Sequence, residues 1–165
     1  MVFYVVIRGP LGVGKTTVAA RLAKRISAEC ISIDRILDEH GLWEAGRLSE
    51  FLQANEFGVP QARGFLEKGT PVIFGGNFYW KTQIKDLVGQ LDYRRYIFTL
   101  KAPLRLCIER DRGRVTSHGS KGAKEVYAKA TKFDYGIGVD ATRSIECVLH
   151  EITSHISQDE AQSQW

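Results

Sequence analysis

The chain has 165 residues, 44% hydrophobic and 25% charged, and carries a formal net charge of +4. That length fits one ordinary domain able to bury its own core, with no room for a second large one. The modest positive balance suits an anionic ligand without specifying nucleic acid; the three cysteines, Cys30, Cys107 and Cys147, stand far apart with no C-x-x-C pair, which argues against a metal knuckle or redox pair and reads as buried thiols in a reducing compartment.

Val2 to Ile7 is β-branched and aromatic with no charge, the pattern of a strand buried on both faces. It is too short for a signal peptide or a membrane span, so a cytoplasmic protein with no membrane association is expected. Gly9-Pro10-Leu11-Gly12-Val13-Gly14-Lys15-Thr16 then matches G-x-x-x-x-G-K-[ST] in full, and Val18, Ala19, Leu22 and Ala23 form the inner stripe of a following helix. Glycines let the backbone from Gly9 through Leu11, Gly12, Val13 and Gly14 wrap an anion, with its N–H groups and the positive helix end converging on phosphates. Lys15 is expected to contact the β and γ phosphates and the Thr16 hydroxyl to hold Mg²⁺, while Thr17 caps or packs the helix beside them.

A short strand at Ala28 to Ile33 leads into Asp34-Arg35. Acidic residues beyond the C-terminal end of a parallel strand face the ligand side, so Asp34 reads as the group that orients or deprotonates an acceptor hydroxyl, or else as a cap of the next helix. Arg35 binds an anionic acceptor or faces solvent. Ile36 to Phe57 reads as mixed helix and loop, with Trp43, Phe51 and Phe57 as pocket walls or core. Val59 to Lys68 reads as a helix carrying Arg63, and Pro71 to Phe74 as a buried strand ending in Gly75-Gly76-Asn77, where the backbone can approach a ligand and an amide is on offer. No acidic residue ends that strand, which leaves Mg²⁺ to Thr16, phosphates and waters, with Asp34 behind them.

Lys81 to Leu91 is amphipathic, Tyr93 to Leu100 a strand, and Pro103 to Asp111 a helix with Leu104, Cys107 and Ile108 inward. Arg110, Arg112 and Arg114 then alternate around Gly113. Beside a phosphate loop they read as a cationic lid, with Arg110 and Arg114 as phosphate ligands; the alternative is a solvated charge run. Val115 to Gly122 reads as loop with His118 as a surface histidine, and Ala123 to Lys132 as a basic helix. Ile137 to Asp140 reads as the last strand, and the Asp140 to Arg143 loop is expected to line the adenine pocket. Thr142 or Ser144 caps the final helix, and the polar end from Gln158 to Gln164 reads as disordered, with Trp165 exposed or folded back.

Across nearly its whole length the chain resembles a small phosphate-loop kinase of the nucleoside-monophosphate-kinase-like fold, the group of shikimate, gluconate and adenylylsulfate kinases, chloramphenicol phosphotransferase and polynucleotide kinases. The pieces that carry the resemblance are Gly9 to Thr17, Ile31 to Arg35, Gly69 to Tyr79, Ala102 to Arg114 and Val139 to Ile152. It implies an α/β P-loop NTPase three-layer sandwich with a five-stranded parallel sheet in order 2-3-1-4-5, as one domain over residues 1–157 with a lid at about 110–122 and a tail at 158–165. It also implies ATP and Mg²⁺ as cofactors and γ-phosphoryl transfer to a hydroxyl. Lys15, Asp34, Arg110 and Arg114 would be catalytic, and Arg35, Arg63, Gly75, Gly76 and Asn77 would bind the acceptor. A small-molecule or nucleotide acceptor and a monomer or homodimer are expected; a polynucleotide 5′-hydroxyl kinase and an ATPase switch without an acceptor are the alternatives.

Overall fold

The computed structural model describes residues 1–43, 46–114 and 119–162. Strand β1 (Phe3–Arg8) is buried along its whole length, and its alternate side chains serve two cores. Tyr4 and Val6 pack with one set of helices, Phe3, Val5 and Ile7 with the other, as strand periodicity requires. The remaining elements follow as α1 (Lys15–Ile26), β2 (Glu29–Ser32), α2 (Ile33–Glu39), α3 (Leu48–Leu66), β3 (Val72–Gly75), α4 (Lys81–Gln90), β4 (Arg94–Lys101), α5 (Leu104–Arg112), α6 (Gly119–Ala130), β5 (Ile137–Asp140) and α7 (Ile145–Gln162). The strands form one parallel sheet in the order β2-β3-β1-β4-β5, the order the resemblance implies. Residues of α2, α3 and α4 fill the core on one face, and residues of α1 and α7 fill the other.

Register decides which residues meet. Gly75 is level with Ile7 and with Ser32, and Arg8 is level with Thr99. The carboxyl ends of β1, β2 and β3 therefore finish within one residue of each other, and the segments beginning at Gly9, Ile33 and Gly76 leave from one edge. Open α/β sheets bind ligands at that edge.

Several sequence expectations change. Residues 48–66, expected as the end of a mixed helix-and-loop stretch and a separate helix from Val59, form one helix, α3, running through Pro60, while the start of that stretch belongs to α2. Proline removes an N–H and normally breaks a helix, yet Phe51, Ala54, Asn55, Gly58, Val59, Ala62 and Leu66 make a continuous buried stripe. Gly58 lets α3 lie close to the sheet: a Cβ there would be 3.4 Å from Ile36 Cδ1 and 3.4 Å from Phe74 Cε1. Helix α6 starts at Gly119 rather than Ala123, and α7 continues through Gln162 into the stretch read as a tail. Cys107 is buried as expected, but Cys30 and Cys147 are exposed, because β2 is an edge strand that buries only Ile31 and Cys147 lies on the outer side of α7. His118, the 115–118 part of the expected lid and the 163–165 end with Trp165 lie outside the described residues. Among the described residues no helix is long and apolar enough to cross a membrane.

Candidate active site

Between β1 and α1 the loop turns through left-handed glycines. Gly12 has φ +79°, and a Cβ on it would sit 2.2 Å from the Cys107 carbonyl oxygen, so α5 packs directly against the loop. Lys15 is buried and folds back on the loop, its Nζ donating to the carbonyls of Gly9 at 2.8 Å and Pro10 at 2.9 Å. Burial pushes the Lys15 ammonium down to about 8; Arg114 and Arg8 push the same way, and Asp34 and Cys107 oppose them.

That value has a consequence for binding. A polyphosphate beside Lys15 favours its charged form and raises its pKa, so above pH ~8 binding must take up a proton. Affinity for ADP is expected to be flat below that pH and to fall above it, by up to about tenfold per unit. Calorimetric titration in buffers of different ionisation enthalpy checks both the fall and the proton uptake.

Beside the loop is a cavity of ≈380 Å³ lined by Val13, Thr17, Arg110, Arg114, Ala141 and Arg143 among others. Arg110 Nη1 donates to the Val13 carbonyl at 3.2 Å, and Arg114 lies 4.0 Å from the buried Asp111 carboxylate. Arg112, between them, turns away to Ser120 Oγ at 3.1 Å. The alternation around Gly113 thus places two of the three arginines over the phosphate loop. Arg143 comes from the β5–α7 loop and is held by the Glu151 carboxylate and by the Asp140 carbonyl at 3.3 Å. Ser144 caps α7 through the Cys147 N–H at 3.2 Å, while Thr142 bonds Asp140 instead.

Across the loop, the cap of α2 is not Asp34. Ser32 is the cap of α2, accepting from the Arg35 N–H at 3.2 Å. Asp34, in the first turn, reaches across to the segment that leaves β3, where its Oδ1 accepts from the Asn77 N–H at 2.9 Å. Gly76 makes this approach feasible: its φ is +137°, and a Cβ there would stand 3.0 Å from Asp34 Oδ1 and 3.2 Å from Ile33 Cβ. Thr16, Asp34, Gly75 and Gly76 line one cavity of ≈140 Å³. Asn77 Oδ1 is buried without a hydrogen-bond partner among the described residues.

Tyr79, which sequence reasoning did not single out, packs at this wall. Burial raises its phenol pKa, and the Asp34 charge raises it further; its ring lies against Phe51 and Trp80, with Lys129 Nζ 5.7 Å from its centroid. Of the three aromatic residues proposed as pocket walls, Phe51 is core, Phe57 stacks on His40 at 3.7 Å, and Trp43 meets Phe51 edge-on.

Two proposed acceptor residues lie elsewhere. Arg35 points to solvent and pairs with Glu39 at 3.1 Å, one turn along α2. Arg63 stands near the C-terminal end of α3, where Nη2 donates to the Gln90 carbonyl at 2.9 Å. Gln90 ends α4 just before β4 begins, so Arg63 sits at the edge of the sheet opposite the loop. Arg63→Ala is expected to leave ADP affinity unchanged within about twofold, as a fluorescent-nucleotide titration would show.

A parallel sheet in this order with a phosphate loop after its central strand is a fold the chain shares with small P-loop kinases of known structure. The family model described as AAA domain matches residues 5–133, and the chain belongs to that family. A sugar kinase from Janibacter sp. HTCC2649 superposes with TM-score 0.79 at 15% identity, covering 95% of each chain. The adenylylsulfate kinase CysC of Mycobacterium tuberculosis, solved with AMPPNP and APS, superposes with TM-score 0.78 at 13% identity over 94% of this chain and 98% of that one. A gluconokinase from Sinorhizobium meliloti 1021 gives TM-score 0.71 at 14% identity, covering 98% and 96%. No curated protein matches the chain in sequence. At these identities the likeness defines the fold.

Proposed function

We propose that the chain is an ATP-dependent phosphotransferase that moves the γ-phosphoryl group of ATP to a hydroxyl of a small-molecule or nucleotide acceptor. The observation that carries this reading is the cavity shared by Thr16 and Asp34, which brings a carboxylate to the mouth of a complete phosphate loop. The loop N–H groups and Lys15 hold the donor phosphates, and the ≈380 Å³ cavity under Arg110 and Arg143 takes the rest of the nucleotide. Asp34, fixed by the Asn77 N–H, orients the acceptor hydroxyl and receives its proton as the oxygen attacks phosphorus. Arg110 and Arg114 offset the charge that spreads over the transferring group.

Mg²⁺ fits the donors present. A hydroxyl and a carboxylate line one cavity, hard oxygen ligands of the kind this ion takes together with waters and phosphate oxygens. Thr16 would hold it directly and Asp34 through a water, and the ion would supply neutralisation of the phosphate oxygens.

The reading is tested by ADP titration in the presence of Mg²⁺, followed by transfer assays from radiolabelled ATP to nucleosides, sugars and short oligonucleotides. ADP binding lost in Lys15→Met and transfer to a nucleoside or sugar are the expected results. Transfer to oligonucleotide 5′ hydroxyls alone would replace the acceptor class, and hydrolysis that no acceptor accelerates would replace the activity.

A further inference from the structure

The least expected residue in the core is Arg8. It ends an otherwise uncharged strand, is fully buried, and shares the sheet face of Tyr4 and Val6 by alternation. Its guanidinium reaches four acceptors on three stretches of the chain. Nη1 donates to Thr99 Oγ1 at 3.1 Å and to the Phe133 carbonyl at 3.4 Å, and Nη2 donates to the Phe78 carbonyl at 3.3 Å and to the Ala130 carbonyl at 2.8 Å. The Arg8 Cζ also lies 4.5 Å from the centroid of the Phe133 ring. Buried Nε has no hydrogen-bond partner among the described residues.

These partners are carbonyls and a hydroxyl, not a paired carboxylate. Asp134 acts on Arg8 only through its field, since it is engaged by Lys101 Nζ at 2.8 Å. The nearest compensation is the negative end of α6, because Ala130 is its last residue. A buried guanidinium held this way costs desolvation that an apolar side chain would avoid. What it gives in exchange is geometry: a planar fork can bridge four acceptors, which an ammonium on a flexible stem cannot.

We propose that Arg8 is a positioning residue that couples phosphate-loop occupancy to the acceptor wall and to the helix that follows the lid. The coupling rests on the nucleotide-site reading of the loop, and its parts are adjacent in the chain. Gly9 and Pro10, whose carbonyls hold Lys15 Nζ, directly follow Arg8. When Lys15 leaves those carbonyls for a phosphate, the Arg8 to Pro10 backbone loses two hydrogen bonds and resettles. Nη2 carries that change both to Phe78, next to Asn77, whose N–H holds Asp34, and to Ala130 at the C-terminal end of α6, and Nη1 carries it to Phe133. Loading of the donor would thereby set the acceptor wall and the lid base together.

Amide hydrogen exchange of the full chain, with and without ADP and Mg²⁺, tests this in wild type, Arg8→Lys and Thr99→Val. In wild type ADP is expected to slow exchange about fivefold or more in residues 9–17 and also in 76–80 and 119–133. Arg8→Lys should bind ADP within about threefold of wild type and keep the response in 9–17, while losing it in the other two segments. A residue that only supported the fold would lower protection in both ligand states and leave the ADP-dependent change in place. Thr99→Val removes one acceptor of the fork, is expected to weaken the remote response, and decides the matter if the lysine variant does not fold. A wild-type response confined to 9–17, or a full remote response in both variants, would overturn the coupling and leave the nucleotide site standing. No ADP response in 9–17 of the wild type would overturn both.

Discussion

Gly12→Ala is expected to lower the unfolding free energy by about 2–5 kcal/mol and to abolish measurable ADP binding. Two costs add at this position. Placing a Cβ at φ +79° costs on the order of 1–2 kcal/mol by itself. The new methyl would also lie 2.2 Å from the Cys107 carbonyl oxygen, which is backbone in the first half of α5 and cannot rotate aside. Either the loop or α5 must move, and overpacking of that kind costs about 1–3 kcal/mol more. Because α5 leads into Arg110 and Arg114, its displacement would also open the cavity beside the loop. Gly14→Ala is the control: its φ is +105°, but nothing lies within 4 Å of the added Cβ, so strain alone should appear. Urea unfolding compares the two directly. Equal stability of the Gly12 and Gly14 variants would mean that α5 does not press on the loop.

How much of this could be read from the sequence depends on the range of the interaction. The phosphate loop was legible because its eight positions are consecutive and its chemistry is local. The strand order came through the family resemblance, not through periodicity. Asp34 was legible as a residue beyond a strand end, but not its role, because the choice between cap and acceptor group depends on Ser32 taking the cap and on a hydrogen bond from a residue 43 positions away. The place of Arg63 was not legible for a topological reason. Seen on a short helix after Val59 it could belong to either edge of the sheet, and only the full length of α3 places its C-terminal end away from the loop. Arg8 carried a signal that went unused: a charge at the end of a strand buried on both faces alternates with Tyr4 and Val6, so it had to be buried, and a buried arginine needs partners.

Asp34→Asn is expected to lower phosphoryl transfer by about 10²- to 10⁴-fold while ADP affinity near neutral pH stays within about threefold. The substitution keeps the shape of the site. An asparagine Oδ1 can still accept from the Asn77 N–H that Asp34 now holds at 2.9 Å, so the acceptor wall keeps its place and only the negative charge and basicity are lost. A second readout needs no acceptor. Asp34 raises the Lys15 pKa against the burial that lowers it to about 8, so neutralising the carboxylate lets that pKa fall further. The alkaline decline of ADP binding should therefore begin at a lower pH in Asp34→Asn than in wild type, the direction set by loss of an opposite charge beside an ammonium. The two measurements separate the claims. Undiminished transfer to an acceptor would remove Asp34 from the proton-transfer role. An alkaline limb that does not move would place its carboxylate too far from Lys15 to act on the donor phosphates, whatever it does to the acceptor.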